Sequence, residues 1–346
     1  MENIEKRIKE LEEEIRKTPK NKATEKHLAL LKAKLARLRE ERERARAKGK
    51  RFSGISIKKQ GDATIALIGF EGVGKSTLLR KLTDAEVNSY STSNPQIGMM
   101  EYNYARIQVI EIPGIKRGYS KERVREALSF ARIADLILLI FDPSTAFEKQ
   151  EIENILAEFN FRLNKEKPLI TIEKKASGGL IINKSRACKL SVEEIKSLLK
   201  GLGLHNGIIT INCDATEEDI IDSFFRNRVY VPAMRILNKA DLLPAEELKE
   251  IKEFFPISAE KGINLEELKR KIWDILGLKR IYLKPKGREI EEKPLIVRGN
   301  PTLREISKRI FGREAKKGFL IKEKGIRREV SLDYKPKDGE IVEFKI

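Results

Sequence analysis

The chain contains 346 residues, with 71 Lys and Arg against 53 Asp and Glu, two His and two Cys. A chain of this length can hold two or more domains, but two cysteines are too few for a disulfide framework, and two histidines argue against a His-based triad or a His-rich metal site. No apolar run approaches the roughly 20 residues of a membrane span, and Met1 is not followed by an apolar signal core, so we expect a cytoplasmic protein that makes no membrane contact.

The two ends of the chain carry its whole net charge of +18. Residues 1–62 contain 20 basic and 11 acidic side chains, residues 279–346 contain the same numbers, and residues 63–278 contain 31 of each. This distribution predicts that the ends contact a polyanion, which we expect to be RNA rather than DNA, through salt-sensitive phosphate contacts. The alternative is that the basic residues form solvated faces, since few aromatic residues lie between them to stack on bases.

Residues 1–56 are predicted to form a hairpin of two helices. Apolar residues recur at helical spacing on either side of Thr18-Pro19, which interrupts the pattern. They are Ile4, Ile8, Leu11 and Ile15, then Leu28, Leu31, Leu35 and Leu38. Two such helices bury little apolar surface alone, so we expect the hairpin to pack against the domain that follows it, a partner or a second copy.

Residues 69–76 read Gly-Phe-Glu-Gly-Val-Gly-Lys-Ser and match the phosphate-loop pattern G-x-x-x-x-G-K-[ST], between a strand-like run at 63–68 and a helical segment at 76–82. In such a loop, backbone N–H groups surround the β-phosphate, the Lys75 ammonium bridges the β- and γ-oxygens, and the Ser76 hydroxyl binds Mg²⁺. The predicted phosphate-binding residues are Gly69, Glu71, Gly72, Val73, Gly74, Lys75, Ser76 and Thr77. The alternative is a glycine-rich turn that binds no ligand.

Residues 238–241, Asn-Lys-Ala-Asp, follow a predicted strand at 231–237 and indicate a guanine nucleotide. The Asp241 carboxylate can accept two hydrogen bonds, from the guanine ring N–H and the amine, a pattern that adenine does not offer. Asn238 would tie this segment to the phosphate loop, and the stem of Lys239 would lie along the purine face. Alone, these four residues would be an ordinary cap or turn.

Residues 256–260, Pro-Ile-Ser-Ala-Glu, follow an apolar stretch and precede a predicted helix. We assign Ser258 and Ala259 to the nucleotide site, because the backbone N–H of Ala259 could donate to the guanine carbonyl oxygen. On its own, this segment would be a plain loop.

The spacing of these motifs indicates an insert. Lys75 and Asn238 lie 163 positions apart, whereas three strand–helix units of roughly 30 residues each would need only about 90 to 100. We place the insert at about 161–228. Its predicted elements are strands near 169–172, 179–182 and 207–211, a helix opened by the capping-box residues Ser191 and Glu194, and a helix that begins near Thr216.

After Leu278 the pattern changes to short strands around one helix, an order that predicts a β-grasp fold. The predicted strands lie at 281–283, 295–297, 318–321, 327–332 and 340–345, and the helix opens at Thr302. We therefore divide the chain into a hairpin at 1–56, a nucleotide domain at 57–280 and a C-terminal domain at 281–346.

Motifs along almost the whole chain point to one family. They lie at 20–36 (beginning Lys-Asn-Lys-Ala-Thr), 61–63 (Gly-Asp-Ala), 100–102, 161–164 (Phe-Arg-Leu-Asn), 178–179, 214–216 (Asp-Ala-Thr), 227–232 (Asn-Arg-Val-Tyr-Val-Pro) and 280–287 (Arg-Ile-Tyr-Leu-Lys-Pro-Lys-Gly). In these segments the chain resembles the developmentally regulated GTP-binding proteins, a branch of the Obg-like translation GTPases.

The resemblance implies an α/β fold of P-loop GTPase type. It adds an N-terminal α-helical hairpin, an inserted α+β subdomain like that of a ribosomal protein, and a C-terminal TGS domain of β-grasp type. It also implies a GTPase that binds GTP and GDP and works in association with ribosomes.

The chain departs from the family's pattern around the γ-phosphate. The family's first switch carries two threonines followed by Leu, where residues 91–95 read Ser-Thr-Ser-Asn-Pro, so Thr92 is the candidate hydroxyl that closes on Mg²⁺ and Ser91 is the alternative. The family's Asp is replaced by Glu111, which is expected to hold Mg²⁺ through a water molecule. Three positions on, Gly114 should offer its N–H to the γ-phosphate.

Further departures concern the attacking water and potassium. Ile115 cannot orient the attacking water as a Gln side chain does. The family also lacks a Gln at this position, so the backbone, another residue or a partner must place the water. The family's Gly-rich segment is replaced by residues 116–121. Gly72 stands where the family has Ser and potassium-activated relatives have Asn, so a requirement for K⁺ stays open.

These observations predict a slow, Mg²⁺-dependent GTPase in which Lys75, Thr92 and Gly114 act at the γ-phosphate and the basic ends engage the ribosome or its RNA. One alternative is a GTP-gated scaffold that binds RNA or protein with little hydrolysis, which Glu111 and Ile115 favour. Another keeps the GTPase but uses the basic ends to dock a small regulatory protein or a second copy.

Overall fold

The computed structural model describes residues 2–19, 24–48, 57–83, 94–116, 118–322 and 326–346. In chain order the α-helices are α1 (Glu2–Lys17), α2 (Glu25–Lys48), α3 (Lys75–Leu82), α4 (Lys121–Ala131), α5 (Lys149–Glu158), α6 (Val192–Gly201), α7 (Glu217–Phe224), α8 (Ala245–Glu250), α9 (Leu265–Leu276) and α10 (Leu303–Phe311). Short 3₁₀ helices lie at Ala146–Glu148 and Ala240–Leu242.

The strands, like the helices, are given in chain order. They are β1 (Ala63–Ile68), β2 (Gln96–Tyr102), β3 (Ala105–Glu111), β4 (Leu136–Phe141), β5 (Phe161–Leu163), β6 (Ile170–Lys174), β7 (Leu180–Lys184), β8 (Gly207–Ile211), β9 (Val229–Val231), β10 (Ala233–Leu237), β11 (Phe255–Pro256), β12 (Leu278–Leu283), β13 (Leu295–Arg298), β14 (Lys317–Ile321), β15 (Arg327–Val330) and β16 (Ile341–Lys345). The single strand predicted at 231–237 is wrong, because Pro232 has no N–H to donate and separates β9 from β10.

The chain forms two compact units. One unit comprises Met1–Ile55 with Asn160–Tyr230, and the other comprises Ser56–Phe159 with Val231–Ile346. The three domain ranges drawn from the sequence stay predictions. Within the described residues, no helix is both long enough and apolar enough to cross a membrane.

A six-stranded sheet forms the centre of the second unit, in the order β11-β10-β4-β1-β3-β2. All neighbouring strands are parallel except β2, which pairs antiparallel with β3 at the edge. Every residue of β1 and β4 is buried, because these apolar runs are covered on both faces of the sheet. In a parallel sheet, the residues that follow the carboxyl ends of the strands meet at one edge, which is where such folds bind ligands.

The C-terminal part of the second unit is a mixed five-stranded sheet, in the order β13-β12-β16-β14-β15, with α10 packed on it. The helix begins at a capping box, in which the Thr302 hydroxyl accepts from the Glu305 N–H and the Glu305 carboxylate accepts from the Thr302 N–H. The buried core comprises Ile281, Val297, Leu303, Ile306, Leu320 and Val342. A sheet with one helix on it agrees with the predicted β-grasp type.

Asp135 connects this C-terminal sheet to the central sheet. Its carboxylate forms ion pairs with Arg298 at the end of β13 and with Lys59, and it accepts the N–H of Thr64 on β1 at 3.0 Å. Burial alone would raise the pKa of Asp135, but the hydrogen bonds from these three groups hold it below its ordinary value. The carboxylate is therefore charged at neutral pH.

The first unit combines the helical hairpin with the insert. Helix α2 packs on α6 and α7, and the approach is so close that a Cβ at Gly201 would lie 2.7 Å from the Cβ of Ala33. The insert is an α+β fold whose three-stranded sheet has the order β6-β8-β7. The capping boxes that open α6 and α7, at Ser191 and Thr216, are both present. The insert is thus a surface on which the hairpin packs.

A buried ion-pair cluster fastens the hairpin to the insert. Asp222 on α7 accepts from Arg162 at 2.7 Å and from Arg228 at 2.7 Å. Glu40 on α2 lies 3.6 Å from Arg228 and accepts from the side-chain amide of Asn227 at 3.1 Å. Apart from Glu40, the residues of this cluster belong to the insert. Helix α2 is therefore held to the insert by ion pairs as well as by apolar packing.

Candidate nucleotide site

The loop between β1 and α3 has the backbone conformation that its glycines predict. Gly72 and Gly74 adopt positive φ angles of 81° and 89°, which favour glycine. A Cβ at Gly74 would lie 2.3 Å from Nδ2 of Asn238, and a Cβ at Gly69 would lie 2.3 Å from the carbonyl oxygen of Ile140. Neither position tolerates a side chain, so the glycines allow the loop to fold tightly against the neighbouring strand ends.

Lys75 is buried at the start of α3, with 5% of its surface exposed. Its ammonium donates to the carbonyl oxygens of Gly69 and Phe70, at 3.2 and 2.7 Å. Burial lowers the pKa of Lys75 to about 8, although the charges of Glu111 and Glu71 act in the opposite direction. Among the described residues, this buried ammonium donates only to carbonyl oxygens, and it is suited to an anion because a phosphate would stabilise its charged form.

Ser76 and Glu111 form the candidate Mg²⁺ site. The Ser76 hydroxyl donates to Oε1 of Glu111 at 2.6 Å, and Oε2 of Glu111 is buried without a hydrogen-bond partner among the described residues. Burial raises the pKa of Glu111, and the hydrogen bond from Ser76 and the charge of Lys75 offset this only in part. A hydroxyl beside a carboxylate with an unused buried oxygen is a donor set that fits Mg²⁺.

Asn238 joins the guanine end of the site to the phosphate end. Its side chain is 2% exposed, its Nδ2 donates to the carbonyl oxygen of Val73 at 2.9 Å, and its Oδ1 accepts the N–H of Ala259 at 2.9 Å. The structure therefore brings three predicted segments together around one amide. The N–H of Ala259 is used inside the protein here, and its contact with a guanine carbonyl stays a prediction.

Lys239 has a partner that the sequence reasoning missed. Its ammonium donates to the carbonyl oxygen of Gly72 and to the carboxylate of Asp142, both at 2.8 Å. Burial works to raise the pKa of Asp142, but hydrogen bonds from Lys239, Ser144 and Thr145 hold it below its ordinary value. A signal was available, because Asp142 directly follows the apolar strand β4 at the ligand-binding edge of the sheet.

Asp241, the residue predicted to read guanine, forms an ion pair of 2.9 Å with Lys261. Hydrogen bonds from Ser258 and Lys261 lower the pKa of Asp241, so its carboxylate is ready to accept hydrogen bonds. Ser258 is buried, and its hydroxyl accepts the N–H of Lys261 at 3.2 Å. The sequence reasoning missed Lys261, which no recognised motif contains.

Gly114 packs directly on the phosphate loop. A Cβ at Gly114 would lie 2.5 Å from Cγ of Glu71, so only glycine fits there without a shift. The N–H of Ile115 donates to the carbonyl oxygen of Gly69 at 3.1 Å. Glu71 in turn contacts Lys116 and Tyr119, which follow Gly114 in the chain. The sequence reasoning also missed these two contacts.

The remaining predicted residues are placed as follows. Val73 is buried within the loop, and Thr77 lies half-buried in the first turn of α3. Ser91 and Thr92 lie outside the described residues, so the predicted second hydroxyl on Mg²⁺ stays a prediction. The other predicted residues gather at the carboxyl edge of the central sheet, where a phosphate end and a base end are joined by Asn238.

Two family models match the chain in succession. Residues 64–175 match the model of the 50S ribosome-binding GTPase, and residues 177–278 match the C-terminal region of MMR_HSR1 domain. A GTP-binding protein from Pyrococcus horikoshii has a similar solved structure, which covers 81% of this chain and 99% of its own at 16% identity and a TM-score of 0.41.

Curated relatives match over most of their length. An uncharacterized GTP-binding protein from Methanocaldococcus jannaschii is 40% identical, over 99% of this chain and 93% of its own. The developmentally-regulated GTP-binding protein 1 of Xenopus laevis is 42% identical over 81% and 80%, and the developmentally-regulated G-protein 3 of Arabidopsis thaliana is 41% identical over 83% and 82%. The chain therefore belongs to the developmentally regulated GTP-binding proteins, a family of P-loop GTPases.

Proposed function

We propose that this chain hydrolyses GTP to GDP and phosphate with Mg²⁺, and that it acts on the ribosome or on ribosome-bound RNA. The observation that carries the proposal is the pairing of Ser76 with Glu111 beside the buried Lys75, at the same sheet edge as Asn238 and Asp241. A metal-ligand pair, a phosphate cation and a guanine reader thus share one site.

Each residue has a distinct task in this reaction. The Lys75 ammonium neutralises charge on the β–γ bridge, and the Gly114 N–H holds the γ-phosphate. The Ser76 hydroxyl would ligate a bound Mg²⁺, Glu111 would hold it through water, and Thr92 would add a second hydroxyl when GTP is bound. Bound Mg²⁺ would neutralise the negative charge that develops on the phosphate oxygens during cleavage.

The basic ends of the chain support the ribosomal part of the proposal. Residues 1–62 and 279–346 each carry nine more basic than acidic residues, while the centre is neutral. Phosphate backbones attract such segments with a strong dependence on salt. The match to a model described as a ribosome-binding GTPase points the same way. We further propose that the C-terminal sheet is a TGS domain.

Two residues favour a second candidate, a GTP-gated binding protein with little hydrolysis. Glu111 is one methylene longer than the family's Asp, and Ile115 has no polar atom with which to orient water. Gly72 likewise offers no side-chain oxygen to a K⁺ ion, so neither candidate includes a potassium ligand at that position. A further candidate keeps the GTPase and uses the basic ends to dock a small regulatory protein or a second copy.

The test is GTP turnover by the purified protein, with and without ribosomes, for the wild type and for Lys75→Ala. Lys81→Ala is the matched control, because Lys81 is an exposed lysine on the same helix α3. Turnover that ribosomes stimulate and that Lys75→Ala alone abolishes would support the GTPase. If the wild type binds GTP tightly without turnover, and Glu111→Asp restores turnover, the result would support the second candidate.

Ribosome contact has its own test. Co-sedimentation with ribosomes should weaken steeply between about 50 and 200 mM salt if phosphate contacts dominate. Binding that is absent at low salt would remove the RNA part of the proposal and leave the basic ends as surfaces for protein partners.

A further inference from the structure

Glu71, a residue of the phosphate loop, holds the residues that follow Gly114. Its Oε1 accepts the hydroxyl of Tyr119 at 2.7 Å, and its Oε2 lies 2.6 Å from the ammonium of Lys116. Both carboxylate oxygens therefore have a partner that follows Gly114 in the chain. We call Glu71, Lys116 and Tyr119 the Glu71 clamp.

Other contacts place the clamp against the predicted γ-phosphate position. Gly114, whose N–H is assigned to that phosphate, packs on Cγ of Glu71, and the N–H of Ile115 donates to the carbonyl oxygen of Gly69. The guanidinium of Arg123 lies 4.2 Å from the centre of the Tyr119 ring. A backbone hydrogen bond, close packing and an ion pair thus connect the same two segments.

The charge of Glu71 is unusual for its position. Loops of this kind surround phosphates with N–H donors and cations, so a carboxylate in the loop opposes the triphosphate it encloses. Partial burial would raise the pKa of Glu71, yet hydrogen bonds from Lys116 and Tyr119 and nearby charges hold it below its usual value. The carboxylate is charged, and it needs the Lys116 ammonium beside it.

A γ-phosphate would compete for that ammonium. It carries more negative charge than a carboxylate and offers three oxygens, so it is the stronger partner for a lysine. The Lys116 side chain is 54% exposed and that of Glu71 is 26% exposed, which leaves the ammonium free to move. GDP lacks the γ-phosphate and leaves the ion pair with Glu71 unchallenged.

We propose that Lys116 exchanges partners during the nucleotide cycle, pairing with Glu71 in the empty and GDP states and with the γ-phosphate in the GTP state. Lys116 is then a residue that contacts the substrate, and Glu71 is a positioning residue that returns it after hydrolysis. Opening of the clamp releases the residues after Gly114 when GTP is bound. This inference rests on the proposed binding of GTP.

The test is the ratio of affinities for a non-hydrolysable GTP analogue and for GDP, from equilibrium titration of the full chain with fluorescent nucleotides and Mg²⁺. Lys116→Ala should weaken the analogue about tenfold or more relative to GDP. Glu71→Gln should raise the affinity for the analogue relative to that for GDP by a similar factor, because Lys116 then has no carboxylate partner. Thermal unfolding at the wild-type temperature shows that each variant is folded.

The double variant separates two roles of Lys116. If Lys116 only neutralises Glu71, its removal in the Glu71→Gln background will have no effect on the analogue, and this result would overturn the partner exchange. If Lys116 contacts the γ-phosphate, the loss of about tenfold will persist in that background.

A matched control uses a neighbouring charge. Lys121 lies five positions beyond Lys116 and forms its ion pair with Glu158. Lys121→Ala should therefore leave the ratio of affinities as in the wild type. A chain that binds neither nucleotide would contradict the proposed function itself. A chain that binds both, with a ratio that Lys116→Ala and Glu71→Gln do not move, would contradict the clamp alone.

Discussion

The side-chain amide of Asn238 donates to the carbonyl oxygen of Val73 over 2.9 Å, which joins the guanine segment to the middle of the phosphate loop. The same amide accepts the N–H of Ala259, so one buried side chain closes three loops around the site. Removing it would leave a buried carbonyl and a buried N–H without partners, and such groups are costly in the protein interior.

Asn238→Ala should therefore lower both stability and nucleotide affinity. We expect a loss of about 1–3 kcal/mol in the free energy of unfolding of this region, and GDP binding weakened by tenfold or more. Hydrogen exchange of the amide of Ala259 and GDP titration measure the two effects. Asn183→Ala, at an exposed position of the insert, is the control. GDP affinity equal to the wild type would show that the amide does not organise the site.

Asp241→Asn should change the base that is bound. Guanine presents two N–H donors to the Asp241 carboxylate, whereas xanthine has a carbonyl in place of the amine and can accept from the amide of an Asn side chain. We expect affinity for GDP to fall by at least about a hundredfold and affinity for xanthosine diphosphate to rise. Competition titrations measure both, with Asp274→Asn on the exposed face of α9 as the control.

Lys261 also has to be tested, because its ammonium forms an ion pair with Asp241 and could affect nucleotide affinity by itself. If Lys261 sets the charge of the base pocket, Lys261→Ala will weaken GDP binding without admitting xanthine. A gain of xanthine affinity in that variant would show that Asp241 is not the reader of the base.

Glu111→Gln should weaken Mg²⁺ specifically. The substitution keeps the size of the side chain and an oxygen for the Ser76 hydroxyl, but it removes the charge that the metal would meet. Residues that act on a metal through one of its ligands, such as a bound water molecule, typically contribute about 10–100-fold to metal affinity. We therefore expect the Mg²⁺ concentration for half-maximal GTP retention to rise by about tenfold. The measurement is nucleotide dissociation across a Mg²⁺ series. Equal dissociation rates for the variant and the wild type throughout that series would exclude Glu111 from the metal site.

Local rules predicted much of this fold. Strand β1 was predicted to the residue because its apolar run has no polar interruption, and the caps at Ser191, Thr216 and Thr302 depend only on residues three positions apart. The break at Pro232 was also readable, since a proline cannot donate within a sheet, and the prediction of one long strand overlooked it.

Contacts between distant segments were not predictable in this way. Lys239 and Asp142 are 97 positions apart, and Glu71 and Tyr119 are 48 apart. Such pairs depend on where each loop lies once the sheet has formed, and a lysine or a tyrosine in a loop has many possible partners. The motifs predicted which residues would lie at this edge of the sheet, whereas the ion pairs between distant loops became visible only in the structure.

The ion pairs of Asp135 lead to a prediction about pH. The pKa of this carboxyl is lower in the folded chain than in the unfolded chain, so its contribution to stability is present above its unfolded pKa, about 3.8, and is lost as the pH falls through the folded value. We expect Asp135→Asn to cost about 1–3 kcal/mol at pH 7, less than a fully buried pair, because its partners Lys59 and Arg298 are about half exposed.

The measurement is hydrogen exchange of strand β13, together with thermal unfolding, at pH values from 7 down to 3. The difference between wild type and Asp135→Asn should be constant above about pH 5 and shrink below pH 4, because the carboxyl of the unfolded wild-type chain then takes up a proton before that of the folded chain does. Arg298→Ala should reproduce part of the loss, and adding it to Asp135→Asn should cost little more, since the two residues share one interaction. A difference that persists undiminished at pH 3 would mean that the shape of Asp135, and not its charge, holds the C-terminal sheet to the central sheet.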